Sequence, residues 1–178
     1  APQNGKVALE GGRFVSQFNE KGAISPMINT LSTLFWESNF MKIYEKDYLK
    51  GQYFQRIIDG MYLRSSLEWA RRRELFNNSN ITYIEKDDRA YTPNAPVNVE
   101  RPDGTGFPEN DALLLNLELD YEPFRKYRIR NGNKRLITNS SPMFSLVYRK
   151  GIDGLLNSEV DFDMLEVGFK HRIEFGVR

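Results

Sequence analysis

The chain has 178 residues, with 25 Lys and Arg against 24 Asp and Glu, so a net charge of +1 offers no field to recruit nucleic acid. It holds no cysteine, which excludes disulfides, thiolate metal sites and cysteine nucleophiles, and only one histidine, His171, which excludes a histidine-rich zinc site. No stretch reaches the roughly 18 uninterrupted apolar residues of a membrane-spanning helix, whereas a spanning strand needs only about 9–11 residues with one apolar face.

In chain order, the first predicted element is a helix within residues 26–44. Ser25 as N-cap and Pro26 as first helical residue fit a helix start. Ile28, Leu31, Leu34 and Phe35 then recur at helical spacing, with a kink expected near Ser38-Asn39. Asp59-Gly60 reads as a hairpin turn between strands at 53–58 and 61–71. Pairing across it would set Phe54, Arg56 and Ile58 on the face of Met61, and Arg56 there calls for a bulge or a frayed end. Residues 72–110 hold four prolines and two Asp/Thr-flanked glycines and read as one long loop. Strands follow at 113–121, at 127–130 and 134–137 around an Asn131-Gly132 turn, at 144–149, and at 165–177.

Alternation is the dominant pattern. Leu63, Leu67 and Trp69 share one face of their strand, and Arg64 and Glu68 the other. Leu113, Leu115, Leu117 and Leu119 oppose Asn116, Glu118 and Asp120. Leu165, Val167, Phe169, His171, Ile173 and Phe175 oppose Glu166, Lys170, Arg172 and Glu174. Two architectures give this pattern. A sandwich packs the apolar face on a second sheet and wets the charged one. A membrane barrel turns the apolar face to lipid and the polar face to a lumen. The thirteen-residue run at 165–177 and the aromatic residues Tyr48, Trp69, Tyr121 and Tyr148 near strand ends suit the barrel.

Little in the chain carries chemistry. His171 is the one candidate for a lipid hydrolase, but the next residue on its face is Ile173, which supplies no hydroxyl. The charged alternating residues pair more naturally with one another than as acid–base catalysts. Glu85-Lys86-Asp87-Asp88-Arg89 lacks the spacing of a calcium loop, and Asp103-Gly104-Thr105-Gly106 lacks the lysine of a phosphate loop. Arg71, Arg72 and Arg73 close a strand and could hold lipid phosphates.

Four stretches carry a family resemblance: "ISPMINTLSTLFWESNFMKIYEKDYLK" at 24–50, "GMYLRSSLEWARRREL" at 60–75, "DRAYTPNAP" at 88–96 and "FSLVYRKGIDGLLNSEVDFDMLEV" at 144–167. Their order resembles the DUF5686 family of Bacteroidota outer-membrane proteins, the carboxypeptidase-like regulatory-domain-containing proteins. The resemblance implies a C-terminal outer-membrane β-barrel preceded by a small periplasmic sandwich. Nothing ahead of Gly11 is long enough for that sandwich, and only six to eight strands are expected, so residues 1–178 read as part of one transmembrane barrel domain in a fragment of a longer chain.

The expectation is therefore a mostly all-β, antiparallel outer-membrane barrel segment with one short amphipathic helix. It is a non-enzymatic component of the Gram-negative cell envelope, needing no cofactor. Its lumen would be lined by Arg64, Glu68, Asn116, Glu118, Asp120, Glu166, Lys170, Arg172 and Glu174. Its lipid-facing side would carry Leu63, Leu67, Trp69, Leu113, Leu115, Leu117, Leu119, Leu165, Val167, Phe169, Ile173 and Phe175. Expected partners are outer-membrane lipids, other segments of the barrel and envelope proteins, with residues 72–110 outside the cell. The alternative is a soluble sandwich or small barrel that binds a ligand or partner through residues 72–110. A lipid-acting enzyme built on His171 is the third reading.

Overall fold

The computed structural model describes residues 5–19, 22–85, 87–88, 91–94, 108–138 and 141–172, with the backbone alone at 133–138. Among these residues run β1 (Lys6–Gln17), α1 (Pro26–Trp36), β2 (Ile43–Ile58), β3 (Met61–Glu74), β4 (Asn110–Tyr121), β5 (Lys126–Arg130), β6 (Asn133–Thr138), β7 (Met143–Gly151) and β8 (Phe162–Lys170). Six strands form one sheet in the order β1-β2-β3-β4-β7-β8, and β5 and β6 form a separate hairpin.

That order corrects the barrel expectation. A closed barrel pairs its first and last strands, whereas here β1 and β8 are the two edges of an open sheet. Hydrocarbon offers no partner to the N–H and C=O groups of such edges. The described fold is thus no transmembrane barrel, and the readings that rested on one are withdrawn with it: an outer-membrane location, a lumen, lipids as partners, and an extracellular side for residues 72–110. No helix among the described residues is long and apolar enough to cross a membrane.

The chain divides into two compact units, one of residues 1–10, 49–69 and 112–178, the other of residues 11–48 and 70–111. Strands β1 to β4 each pass from one unit into the other.

In the first unit the register fixes both sheet faces. Leu115, Leu117, Leu119 and Tyr121 stand opposite Lys150, Tyr148, Leu146 and Phe144 of β7. Those in turn face Asp163, Leu165, Val167 and Phe169 of β8. Residues directly opposite in an antiparallel ladder share a face, so twelve side chains form rows three strands deep. An aromatic row, Tyr121, Phe144 and Phe169, ends the patch on one side, with the Phe144 and Phe169 rings 5.3 Å apart. At the other end Lys150 Nζ donates to both Asp163 oxygens at 3.1 Å, and Tyr148 donates its hydroxyl proton to Asp163.

Leu113 leaves the expected stripe. It is 1% exposed, the largest fully buried side chain among the described residues. The connection after β7 folds over it: its N–H donates to Ser158 Oγ at 2.9 Å, and Ile152 N donates to its carbonyl at 2.9 Å. The hairpin residues behave as their chemistry requires. Asn131 and Gly132 both take positive φ, 52° and 76°, as a two-residue turn matching strand twist needs. Gly60 takes φ 85°, and a Cβ there would lie 2.4 Å from the Glu122 carbonyl oxygen, while Glu122 N donates to Gly60 O at 2.8 Å. Phe54 packs on Tyr62 and Arg64 and so departs from the simple pairing across that turn.

Several boundaries differ from expectation, among them β2, which begins at Ile43 where a strand was predicted only at 53–58, and β3, which runs to Glu74 into the predicted loop. Strand β1 was not anticipated. The helix stops at Trp36, where Glu37 turns left-handed at φ 57° and its N–H donates to Thr33 O at 3.2 Å, with Ser38 N donating to Ser32 O at 3.2 Å, so the helix closes in place of a kink. Strand β8 ends at Lys170; Ile173, Glu174, Phe175 and the rest of the expected thirteen-residue strand lie outside the described residues.

Candidate functional site

The second unit is organised around α1. Pro26 opens the helix, Ser25 precedes it in extended conformation without a side-chain cap bond, and Asn29 N donates to Ser25 O at 3.0 Å. The orphan carbonyls of its last turn are satisfied from elsewhere in the chain. Tyr83 N and Thr82 Oγ1 donate to Leu34 O at 2.8 Å each, and Thr92 N donates to Glu37 O at 2.9 Å. Phe35 and Tyr83 add a ring contact at 6.0 Å.

A relay of side-chain amides holds the neighbouring segments. Asn29 Oδ1 accepts from Phe40 N at 2.9 Å and Met41 N at 2.8 Å, and its Nδ2 donates to Asn39 Oδ1 at 3.0 Å. Asn39 donates to Asn77 Oδ1 at 3.3 Å, and Asn77 to Thr92 O at 3.1 Å. Asn94, 6% exposed, imitates a paired strand residue. It accepts from Ile43 N at 2.9 Å and donates to Ile43 O at 2.8 Å, and also donates to Leu75 O.

This frame holds a groove of about 480 Å3 between α1 and the segment after it, lined by Ile28, Leu31, Ser32, Trp36, Ser38 and Phe40. Its size falls in the range of about 300–1,000 Å3 typical of small-ligand sites. Its two hydroxyls are committed to backbone: Ser32 donates to Asn29 O and Ser38 O, at 3.0 and 2.9 Å, and Ser38 to Trp36 O at 3.1 Å. What remains to meet a ligand is apolar.

A network of charges occupies the same unit. Arg13 grips Asp47 with two donors at 2.7 and 3.3 Å, and Arg73 adds a third at 2.5 Å. Arg71 holds Asp111 at 2.8 and 3.0 Å, Arg73 reaches Glu109 at 3.4 Å, and Arg72 Nε donates to Asn110 Oδ1 at 2.9 Å. The arginines expected to hold lipid phosphates are therefore engaged within the chain. The Arg13 hydrogen bond, with that of Arg73, holds the Asp47 carboxyl down at about 2. Asp47 thus loses its proton more readily folded than unfolded. Its contribution to stability is full above the ordinary carboxylate range and fades as pH falls toward about 2. A pH titration of the Asp47 carboxyl carbon by NMR is expected to give a midpoint near 2; an ordinary carboxylate midpoint would show that the two arginines do not hold it.

The polar residues assigned to a lumen form ordinary ladder pairs where they are described. Arg64 donates to Glu118 at 2.7 Å and Asp120 at 2.5 Å and lies over the Phe54 ring, and Lys50 stands 3.5 Å from Glu68. Asn116 stands opposite Arg149, Glu166 opposite Val147 and Lys170 opposite Met143. Arg172 is exposed beyond β8, and Glu174 lies outside the described residues. On the apolar side Leu63 is half-buried, Leu67 exposed, and Trp69 donates its indole N–H to Leu156 O at 3.3 Å. His171 is exposed, its ring 6.5 Å from that of Phe169. Among the described residues no His, Cys, Asp or Glu group of three or more could hold a metal ion. Residues 103–106 lie outside them, as do Lys86 and Arg89 of the charge run.

Sequence reasoning found four apolar residues of α1 but not Asn29, Asn94, Trp36 or Phe40 as parts of one site. A lone asparagine gives no signal of its partner 51 residues away.

These features define an antiparallel β-sheet domain with one short helix and an apolar groove beside it. The family model described as "Family of unknown function (DUF5686) C-terminal domain" matches residues 1–178, and the chain belongs to that family. No curated protein matches the chain. No solved structure matches it.

Proposed function

We propose that the chain is a non-catalytic binding module and that the groove beside α1 is its ligand site, taking an apolar chain or ring. One observation carries this reading: the groove walls are Ile28, Leu31, Trp36 and Phe40, and both of its hydroxyls already bond backbone carbonyls. No group there is placed to attack, protonate or coordinate, so binding draws on removal of apolar surface from water. Partly covering four such side chains supplies roughly 6 kcal/mol before ordering costs, enough for affinities between about millimolar and micromolar.

The groove is expected to bind the apolar fluorophore N-phenyl-1-naphthylamine, with Trp36 emission reporting the same event. Leu31→Arg puts a cation into an exposed wall position, so it should leave the circular dichroism spectrum intact and weaken binding at least about tenfold. An unchanged titration in a folded Leu31→Arg variant rejects the groove as the site.

A further inference from the structure

We infer that the groove beside α1 takes an amphipathic anion, an apolar chain or ring ending in one carboxylate, and that the ammonium of Lys42 receives the charge. This rests on the groove reading and names the chemistry of its ligand. Two links tie Lys42 to the groove wall. Its N–H donates at 3.1 Å to the carbonyl of Phe40, which lines the groove. Its Nζ donates to Pro93 O, and the adjoining Thr92 N donates at 2.9 Å to the carbonyl of Glu37, between the lining residues Trp36 and Ser38. All of these residues belong to the same unit.

The Lys42 ammonium lacks a counter-charge. Among the described residues it bonds only that neutral carbonyl, and no carboxylate pairs with it. Burial holds the Lys42 amine below the ordinary lysine range, and no opposing charge raises it. The arginines of the same unit differ: Asp47 holds Arg13 and Arg73, and Asp111 holds Arg71. A partly desolvated cation gains most from an anion that also accepts its hydrogen bonds. Lys42 is half-buried on a flexible stem, so it reaches a ligand by releasing one carbonyl. Glu37, the acid of the same segment, has no such freedom. It is 6% exposed, its Oε2 is sealed from solvent, and it does not line the groove. A groove of about 480 Å3 with one available cation suits a small monoanion, not an acidic polypeptide.

Displacement of N-phenyl-1-naphthylamine from the full-length protein by decanoate and by decanol, each below its aggregation limit, tests this. The two ligands share a tail and differ in charge. Lys42→Gln keeps a donor for Pro93 O and removes the cation. It is expected to weaken decanoate about tenfold and to leave decanol within about twofold, and Lys42→Arg should restore decanoate. On the unaltered protein, raising the salt concentration should weaken decanoate and not decanol, which tests the charge whatever the stability of the variants. Equal losses for both ligands overturn the proposal, because Lys42 then only props the groove wall. Decanoate binding that ignores both Lys42→Gln and salt overturns it too. Decanol binding without decanoate sinks the anion alone, whereas failure of both ligands to bind the folded protein sinks the groove reading with it.

Discussion

Replacing Leu113 with alanine is expected to cost the first unit about 3 kcal/mol, within the span of roughly 2–5 kcal/mol seen for buried leucines. Leu113 lies beside Ala112, also fully buried, at the start of β4, beneath the connection after β7. Alanine keeps the backbone bonds to Ser158 and Ile152, so the loss isolates the side chain and the cavity it leaves. Leu165→Ala on the exposed face of β8 should change stability by no more than about 0.5 kcal/mol. Urea unfolding of both variants measures the contrast. Equal losses would mean that the packing centre of this unit is not at Leu113.

Asn94→Ala should destabilise the second unit by about 3 kcal/mol. One side chain satisfies Ile43 N, Ile43 O and Leu75 O. Each bond contributes about 1 kcal/mol net, and buried backbone groups left without a partner add to the cost. Asn94→Asp is the sharper variant. It keeps an acceptor for Ile43 N but turns a carboxylate oxygen toward two carbonyls, so it should be no more stable than alanine. Thermal unfolding with amide exchange at Ile43 reads both. A loss below about 0.5 kcal/mol in either variant would show that the loop is held by other contacts.

Local chemistry was legible in the sequence where it acts locally. Asn131-Gly132 demanded a two-residue turn, Ser25-Pro26 announced the helix start, and the leucines of 113–121 announced a strand. The helix end was hidden because Glu37, not a glycine, takes the left-handed position. β1 was hidden because "KVALEGGRFVSQ" breaks its alternation at Gly11-Gly12. The barrel error has a different origin. A strand with one apolar and one polar face has the same period whatever lies against it, so Leu115, Leu117 and Leu119 could not report whether their sheet closes. Nor could Arg71-Arg72-Arg73 name partners that arrive from Asp47, Glu109, Asn110 and Asp111. The groove was half-visible: Ile28 and Leu31 belong to a helical period, but Phe40 joins them only through the amide of Asn29.

The interleaving of the two units governs how the molecule can be dissected. One unit is assembled from three stretches of chain and the other from two, with β1 to β4 threading between them. No single protease cut liberates either unit as a contiguous piece; a gene truncated at residue 48 encodes neither, and one truncated at residue 111 encodes every residue of the second but not the first. Complementation by split halves is a further route, because two polypeptides meeting at 94–108 would leave the eight described strands whole.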